Sequence, residues 1–275
     1  MKKTPWRNRV VALTGAASGI GRALAKSLAV RGAYLALSDK DAAALEDTAR
    51  LCAGGTRERI RTYVVDVADR DAMRQYAESV DHDFGRVNAI INNAGVSLTA
   101  MATEQTLDDI EWVLDINLRG VINGSQIFLP YLIESGDGLV INLSSIFGVI
   151  SVPGASAYNA SKFAVRGYTE ALTMEMSMDD YPVSVHCVHP GGVKTNIVRH
   201  SRLGREKTRD ALTRKFDRIA RTTSEAAAEI IIRGVDRGRP RIFVGSDALA
   251  LYGLSTLLGS GYQKLIQRRA KRLYP

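Results

Sequence analysis

The chain has 275 residues, a formal net charge of +8 and an ordinary apolar content of 45%. At roughly 100 to 200 residues per domain, this length fits one large α/β domain with a sizeable core. No uncharged apolar run of about 18 residues occurs, so a membrane-spanning helix is not expected. The first residues also lack the apolar run of a signal peptide. Two cysteines, Cys52 and Cys187, suggest no disulfide framework and favour the reducing cytoplasm.

Predicted strands and helices alternate along the chain. Short apolar runs predict seven strands, at 10–13, 34–37, 63–65, 87–91, 139–143, 183–188 and 241–244. Apolar residues at helical spacing predict helices between them, at 20–31, 41–51, 69–84, 106–135, 155–178 and 224–237. Such alternation is typical of parallel βαβ units. We therefore predict an α/β fold, in which residues 1–275 form a single Rossmann-like domain with a doubly wound parallel sheet of about seven strands and helices on both faces.

A glycine-rich turn joins the first predicted strand to the first predicted helix. It contains Gly15, Ser18, Gly19, Ile20 and Gly21, with the spacing G-x-x-x-G-x-G. Glycines let the backbone approach a pyrophosphate closely, and the start of the helix offers free N–H groups to the phosphates. The position of the turn indicates a nucleotide site, and the alternative is a merely tight connection.

Asp39 ends the second predicted strand, about 20 residues beyond the glycine turn. A carboxylate at this place can accept both ribose hydroxyls of an adenosine and would repel a 2′-phosphate. Ala17, within the turn, supplies no cation to offset that repulsion. NAD is therefore favoured over NADP. Lys40 keeps NADP open because it can swing toward a 2′-phosphate, and Asp39 can also be read as an ordinary turn residue.

Tyr158 and Lys162 lie four residues apart in a predicted helix, so they share one face. A phenol normally titrates near ~10, and an adjacent ammonium favours the phenolate and lowers that pKa toward neutrality. The pair indicates proton transfer, and the pair Ser144–Ser145 lies just upstream. Taken alone, the two residues also fit an ordinary exposed helix.

Together these motifs resemble the short-chain dehydrogenase/reductase family. The matching segments occur in the family's order: 14–21, 66–67, 92–95, Asn117, 144–145, 158–162 and 189–195. The resemblance is strong from Arg9 to Thr195, and beyond that it extends in architecture only, to Val244. It implies an NAD(P)-dependent oxidoreductase that acts on CH–OH groups.

The resemblance also implies a role for each matching residue. Tyr158 would be the general acid/base, and Lys162 would lower its pKa and hold the nicotinamide ribose. Ser145 would hydrogen-bond the substrate oxygen, with Ser144 as its rival, and Asn117 would support a proton relay to solvent. The other matching residues would line the cofactor cleft: Asp66, Val67, Asn93, Ala94, Gly95, Pro190, Val193 and Thr195.

We predict an oxidoreductase that transfers a hydride between NAD(H) and a small-molecule secondary alcohol or ketone. An apolar substrate is favoured by the run Phe147, Val149, Ile150, Val152 and Pro153, although these residues can instead pack against the sheet. The alternatives are an NADP-linked carbonyl reductase and a non-catalytic nucleotide-binding or membrane-surface protein. The four histidines show no ligand spacing with the cysteines, so no metal is predicted. The resemblance implies a homotetramer or a dimer.

Two basic segments follow the motifs. The first, residues 199–221, holds nine Lys or Arg against three acids, and the second is a basic C-terminal extension at 246–275. Such segments can contact nucleic acid or acidic lipid. No nucleic-acid module accompanies them, so a solvated surface is favoured, and peripheral membrane contact through the C-terminus is the disfavoured alternative. Leu212, Phe216 and Ile219 share one helical face, which predicts a lid within 196–222.

Overall fold

Seven parallel strands form the main sheet of the chain. The structure is a computed structural model, and it describes residues 6–54, 57–195, 197, 201–204 and 220–271. The sheet consists of β1 Val10–Thr14, β2 Tyr34–Asp39, β3 Ile60–Val64, β4 Ala89–Asn92, β6 Gly138–Leu143, β7 Val183–Pro190 and β9 Arg241–Val244. Their spatial order is β3-β2-β1-β4-β6-β7-β9. Two very short strands, β5 Leu98–Thr99 and β8 Arg202–Leu203, pair in parallel beside it.

Helices connect the strands and cover both faces of the sheet. They are α1 Gly19–Val30, α2 Ala42–Ala53, α3 Arg70–Phe84, α4 Leu107–Leu114, α5 Gly120–Glu134, α6 Ser156–Met178, α7 Ser224–Asp236, α8 Ser246–Leu258 and α9 Tyr262–Lys271. Helices α1, α2 and α7 pack on one face, and α3, α5 and α6 pack on the other. Neighbouring residues of β1 serve opposite faces, because Leu13 belongs to the first core and Ala12 to the second. The predicted Rossmann-like fold is confirmed.

The strand order reverses between β1 and β4. From β1 the chain runs outward through β2 to β3 on one side, and β4 then starts the other side. In open parallel sheets, the crevice outside the carboxyl ends of the strands at such a switch point binds the ligand. The glycine turn after β1 and the segment after β4 both open into this crevice.

The edge strand β3 lies earlier than predicted. The apolar run predicted a strand at 63–65, whereas β3 begins at Ile60 and pairs in register with β2, from Leu35–Ile60 to Asp39–Val64. As an edge strand it exposes polar side chains, including Arg61 and Thr62. Polar residues therefore interrupt the apolar run at the start of β3, so its first residues were not predicted as strand.

The long helix predicted at 106–135 is interrupted. A single π-helical turn, Asp115–Arg119, separates α4 from α5, and it contains the buried Asn117. Such turns occur frequently at functional sites, because the extra residue re-aims side chains out of the regular helical register. Among the described residues, no helix is both long and apolar enough to cross a membrane.

The C-terminal extension forms two helices, α8 and α9, which the sequence analysis did not predict. Most of the predicted lid at 196–222 lies outside the described residues, including Leu212, Phe216 and Ile219. The single-domain organisation likewise stays a prediction.

Candidate active site

The glycine turn is a backbone surface with no room for side chains. Gly15 and Gly19 adopt positive φ values of 66° and 53°, where residues other than glycine are strained. A Cβ on Gly21 would lie 2.1 Å from the carbonyl oxygen of Gly15, and one on Gly15 would lie 2.7 Å from the Cα of Ala94. The turn therefore leaves an open cradle at the start of α1. This shape fits a pyrophosphate, which needs close approach to backbone N–H groups.

The segment after β4 fixes this turn in place. The Asn93 side-chain amide donates to the carbonyl oxygens of Thr14 and Gly15, at 2.9 Å each. The Thr14 hydroxyl accepts from the backbone N–H groups of Asn93 and Ala94, at 3.1 Å each. Asn93, Ala94 and Gly95 thus lie beside the glycine turn, as expected for residues lining a cofactor cleft. The bracing role of Thr14 was not predicted.

Asp39 lies beside the same turn. Its carboxylate accepts from the backbone N–H groups of Ala17 at 3.0 Å and Asp41 at 3.2 Å. These bonds hold a negative charge at the end of β2, where an adenosine ribose would lie. The flanking turn residues have local roles: Ser18 is the N-cap residue of α1, and Ile20 packs against the core.

Arg22 is a cation near Asp39 that the sequence analysis did not weigh. Its guanidinium donates to the carbonyl oxygens of Ala17 and Ala44 and to the Thr48 hydroxyl, the last at 2.9 Å. These bonds tie α1 to α2 and use the Nε–H and the N–H groups of one terminal nitrogen of the guanidinium. Arg22 therefore braces the turn.

Asp66 and Val67 follow β3 on the far rim of the crevice. Asp66 is exposed, and its carboxylate accepts from the Ala68 N–H at 2.9 Å. Val67 is buried against Gly120, where an added Cβ would lie 2.7 Å from its Cγ2. Because the Val65 N–H donates to the Asp39 carbonyl at 3.1 Å, this rim is directly attached to the end of β2.

Pro190, Val193 and Thr195 lie at the opposite rim, after β7. Pro190 ends the strand, Val193 is buried, and the Thr195 side chain lies against Gly19, 3.3 Å from where a Cβ would stand. A cleft of about 180 Å³ opens here. It is lined by Gly19, Arg22, Ala23, Lys26, Lys194, Thr195, Ser224 and Glu225. The segment after β7 therefore meets the glycine turn across this cleft.

Asp247, in the first turn of α8, holds the Gly191–Gly192 turn after β7. Its carboxylate accepts from the Gly192 N–H at 2.6 Å, and a Cβ on Gly191 would lie 2.3 Å from it. The C-terminal helices are thus fastened to the rim of the crevice. The sequence analysis missed this contact.

Three candidate catalytic residues lie close together. Tyr158 and Lys162 are on α6, and Ser145 is in the turn after β6. The Ser145 hydroxyl accepts from the Phe147 N–H at 3.1 Å, and its side chain lies near enough to Tyr158 to act on the pKa of the phenol. The buried Lys162 ammonium lies 5.8 Å from the centroid of the Tyr158 ring and donates to the Leu143 carbonyl at 2.9 Å. The rival Ser144 is turned away, because its hydroxyl donates to the Lys162 carbonyl at 2.8 Å.

Burial favours the neutral forms of both titrating groups. It raises the pKa of Tyr158, and the hydrogen bond with Ser145 opposes that rise. Burial also lowers the pKa of Lys162 to about 8. The two groups are close enough to share a proton-transfer function, and the lowering of the Tyr158 pKa by Lys162 stays a prediction.

Asn117 reaches this group from the π-helical turn. Its amide exchanges two hydrogen bonds with the backbone of Val96, at 2.8 and 2.9 Å, and donates to the Ser161 hydroxyl at 3.2 Å. Ser161 in turn donates to the Tyr158 carbonyl at 2.8 Å. A Cβ on Gly95 would lie 3.2 Å from the Asn117 amide oxygen and 3.6 Å from the Lys162 ammonium. Asn117 therefore connects the segment after β4 with the helix that carries Tyr158.

His189 lies beneath Ser145. Its Nδ1 is 3.1 Å from the Ser145 carbonyl oxygen, and its ring stacks on Phe243 at 5.1 Å. Burial lowers the pKa of His189 to about 4, so the ring is neutral near pH 7. Because a carbonyl can only accept, Nδ1 carries the proton and donates it to Ser145. His189 directly follows the strand predicted at 183–188, and nothing in the local sequence predicted this contact.

The predicted apolar wall divides into two parts. The Phe147 ring meets the Tyr158 ring edge-on, with centroids 6.3 Å apart. Ile150 is buried instead against Ala248 and Tyr262 of the C-terminal helices. Packing therefore accounts for Ile150, and its cluster also includes Phe243 of the sheet strand β9. Phe147 is the apolar side chain that borders Tyr158.

Comparison with known proteins decides the family. A model of the short chain dehydrogenase family matches residues 9–206. This chain belongs to the short-chain dehydrogenase/reductase family. A Mycobacterium tuberculosis protein that carries the name oxidoreductase SadH is 43% identical over 271 residues, which cover 98% of each chain.

Solved structures of family members agree with this assignment. A short-chain dehydrogenase/reductase from Burkholderia phymatum in complex with NAD superposes with a TM-score of 0.85 at 28% identity, covering 94% of this chain and 95% of that one. A short-chain dehydrogenase from Mycobacterium paratuberculosis bound to NAD gives 0.75 at 29% identity, covering 87% and 97%. The chain is therefore an NAD(P)-dependent oxidoreductase, and the resemblance seen in its motifs is confirmed.

Proposed function

We propose that this enzyme transfers a hydride between NAD(H) and a secondary alcohol or ketone, with Tyr158 as the general acid/base. The observation that carries the proposal is the grouping of Tyr158 with Ser145 and with the buried Lys162, whose ammonium lies 5.8 Å from the centroid of the Tyr158 ring. This group lies where the segments after β4, β6 and β7 meet, which is the ligand end of an open parallel sheet.

Each side chain has a defined task in the proposed reaction. In oxidation, the Tyr158 oxygen takes the hydroxyl proton of the alcohol, and in reduction it gives a proton to the carbonyl oxygen. The Ser145 hydroxyl donates to the same substrate oxygen and stabilises charge that develops there. The Lys162 ammonium favours the phenolate of Tyr158, and Asn117 holds the Ser161 hydroxyl and the Val96 backbone beside it. When bound, the nicotinamide accepts or gives the hydride.

NAD is the proposed cofactor. The glycine turn at the start of α1, where an added Cβ on Gly15 or Gly21 would overlap neighbouring protein atoms, and the carboxylate of Asp39 are the features that support it. The Arg22 guanidinium is held by protein acceptors at its Nε–H and at one terminal nitrogen. Two structural relatives bound to NAD are consistent with this choice.

The proposed substrate is an apolar alcohol or ketone of small-molecule size. Phe147, which meets the Tyr158 ring edge-on, supports this proposal because it borders the space where a substrate oxygen would meet the phenol. A residue with an aromatic ring at this place favours an alkyl or aryl group next to the reacting carbon over a charged one.

The test is the appearance of reduced nicotinamide with a panel of secondary alcohols of increasing chain length, run with NAD and with NADP. We expect turnover with NAD that improves along the apolar series. Turnover with NADP alone would identify an NADP-linked carbonyl reductase. NAD binding by calorimetry without turnover, in either direction and with every alcohol and ketone, would contradict the proposal and favour a non-catalytic nucleotide-binding protein.

We propose a homo-oligomer in the cytoplasm. Helix α6 exposes Phe163, Met174 and Met178, whose side chains are 37%, 60% and 80% accessible. Covering them against a second copy would brace the helix that carries Tyr158. Cys52 and Cys187 are buried free thiols, which suits a reducing compartment. Sedimentation of the enzyme at working concentration tests the assembly, and a fully active monomer would contradict it.

A further inference from the structure

The last two helices expose leucines and cations, which we call the C-terminal face: Leu257, Leu258, Lys264, Leu265 and Arg268. The leucines are 85%, 47% and 48% accessible, and both cations are exposed. Exposed leucines are common singly, whereas several on one short helical unit mark a surface that meets something apolar.

The opposite side of these helices is firmly packed. Ala248 and Tyr262 are buried against Ile146 and Ile150, and the Tyr262 hydroxyl accepts from the Ser151 N–H at 3.0 Å. Asp247 adds its bond to Gly192. The helices are therefore anchored through their inner side, and the outward leucines are not the result of a loosely attached end.

Beyond Asp247, which is bonded to Gly192, all the charged residues of this unit are basic. Residues 248–275 contain five Lys or Arg and no Asp or Glu. In α9, Lys264 and Arg268 are one helical turn apart and share a face, while Tyr262 and Ile266 face inward. Helices with cations on the solvent side, next to apolar side chains, bind the interface of anionic bilayers.

We propose that the C-terminal face docks the enzyme on an anionic lipid bilayer, with the leucines entering the interface and the cations meeting the lipid headgroups. A second copy of the chain is a poorer occupant, because pairing this face with itself would bring two acid-free basic segments together. An anionic headgroup layer offers both the apolar depth and the opposite charge.

Docking at this face would also affect the substrate cleft. Ile150, packed against the inner side of α8 and α9, is in the same short segment as Phe147, which borders Tyr158. Bilayer contact would therefore hold the cleft close to a phase in which apolar alcohols concentrate. Docking itself does not depend on the proposed substrate, and it can be measured without turnover.

The experiment is co-sedimentation of the full chain with vesicles of phosphatidylcholine alone or mixed with phosphatidylglycerol, at low and high salt. We expect binding to the anionic vesicles only, weakened by salt because the attraction between charges is screened. Leu257→Ser combined with Leu258→Ser should weaken binding roughly ten-fold. Lys264→Gln combined with Arg268→Gln should weaken it to a similar degree and remove most of the salt dependence.

Two matched controls distinguish binding through this face from nonspecific binding to the vesicles. Leu107→Ser, on α4, removes a leucine that is 77% accessible, and Arg233→Gln with Arg237→Gln removes two exposed cations near the end of α7. Both should bind the anionic vesicles like the parent, and all variants should keep parental turnover of a soluble alcohol.

Equal sedimentation of the leucine double variant and the parent would overturn the proposal. It would also be overturned if the parent ignored anionic vesicles and the leucine variant changed the oligomeric mass by light scattering. That second result would assign the C-terminal face to contact between copies.

Discussion

At the glycine turn the cleft is shaped by backbone, whereas around Tyr158 it is shaped by buried side chains. Gly15 and Gly21 leave no space for even one added carbon atom. Around Tyr158 the contacts are instead specific hydrogen bonds from the side chains of Ser161 and Lys162 to backbone carbonyls.

This difference determines how each end can be damaged. A cradle made of backbone fails when an atom is added, since neighbouring main chain cannot move aside cheaply. A site made of buried polar side chains fails when an atom is removed, because a donor or acceptor loses its partner. The two ends should therefore respond to opposite kinds of substitution.

The largest effect is expected from removing one oxygen at the side-chain end. Tyr158→Phe keeps the ring that packs near Phe147 but removes the proposed acid/base. Turnover should fall ~10² to 10⁴-fold, with NAD affinity within a few-fold of the parent. Steady-state kinetics and calorimetry measure the two quantities.

Tyr168→Phe is the matched control for this change. Tyr168 lies on the same helix, and its hydroxyl accepts from the Gln126 amide at 2.9 Å, away from Ser145. Its turnover should stay near the parental value. Comparable losses in both variants would show that helix packing, and not proton transfer at Tyr158, accounts for the effect.

The next effect concerns the protonation of His189, which has no exposed surface. Its pKa is lowered from 6.5 to about 4 by burial. Between these values the unfolded chain holds a proton that the folded protein lacks. The free energy of unfolding should therefore fall by about 3 kcal/mol as the pH drops from 6.5 to about 4. Below that pH, His189 should cause no further loss of stability.

His189→Asn tests this source of acid sensitivity. Its amide can still donate to the Ser145 carbonyl, but it does not titrate. The variant should start less stable at pH 7, because it loses the stacking on Phe243, and it should then lose less stability than the parent toward pH 4. His82→Asn is the control, because the His82 side chain is 87% exposed. An unchanged pH slope in His189→Asn would refute the assignment.

The sequence predicted best those parts of the cleft that lie close together along the chain. The glycine turn is a run of seven residues, and Tyr158 and Lys162 are four apart on one helix. All seven strands were predicted, and the edge strand β3 was misplaced because its outward side chains are polar. Local spacing thus carried the fold and the candidate residues.

The remaining contacts join residues that no local pattern connects. His189 is 44 positions from Ser145, and Asp247 is 55 positions from Gly192. The packing of Tyr262 on Ile150 likewise depends on how the C-terminal helices return to the site. These contacts depend on tertiary geometry, so a single sequence gives no signal for them.

At the glycine turn, adding one carbon atom should weaken the cofactor site, as removing one oxygen atom weakens the site at Tyr158. Gly21→Ala places a Cβ 2.1 Å from the Gly15 carbonyl oxygen. We expect a loss of about 1–3 kcal/mol in the free energy of unfolding, together with weaker NAD binding, because the turn must shift. Denaturant unfolding and calorimetry measure both.

Gly167→Ala is the matched control for that substitution. Gly167 lies inside α6 with no neighbouring atom within 4 Å of the added Cβ. Alanine there should raise the free energy of unfolding by roughly 0.5–1 kcal/mol, since glycine is the weaker helix former. A Gly21→Ala variant as stable as the parent, with unchanged NAD affinity, would show that the turn is more adaptable than its geometry suggests.

The smallest effect is expected at Asp39, whose side chain hydrogen-bonds the backbone of the glycine turn. Asp39→Asn keeps a group that can accept from the Ala17 N–H but removes the charge that would repel a 2′-phosphate. The ratio of kcat/KM for NAD to that for NADP should fall about ten-fold. A hydrogen bond to a charged group contributes roughly 1.5–3 kcal/mol. Part of that contribution to the ribose of NAD is lost when the carboxylate becomes a neutral amide, whose oxygen can still accept. The free energy of unfolding should change little, since the bond to the turn persists.

Asp66→Asn, on the exposed rim after β3, is the control and should leave the ratio near its parental value. If Asp39→Asn leaves the ratio unchanged while Lys40→Ala alters it, cofactor choice depends on Lys40, and the carboxylate only shapes the turn.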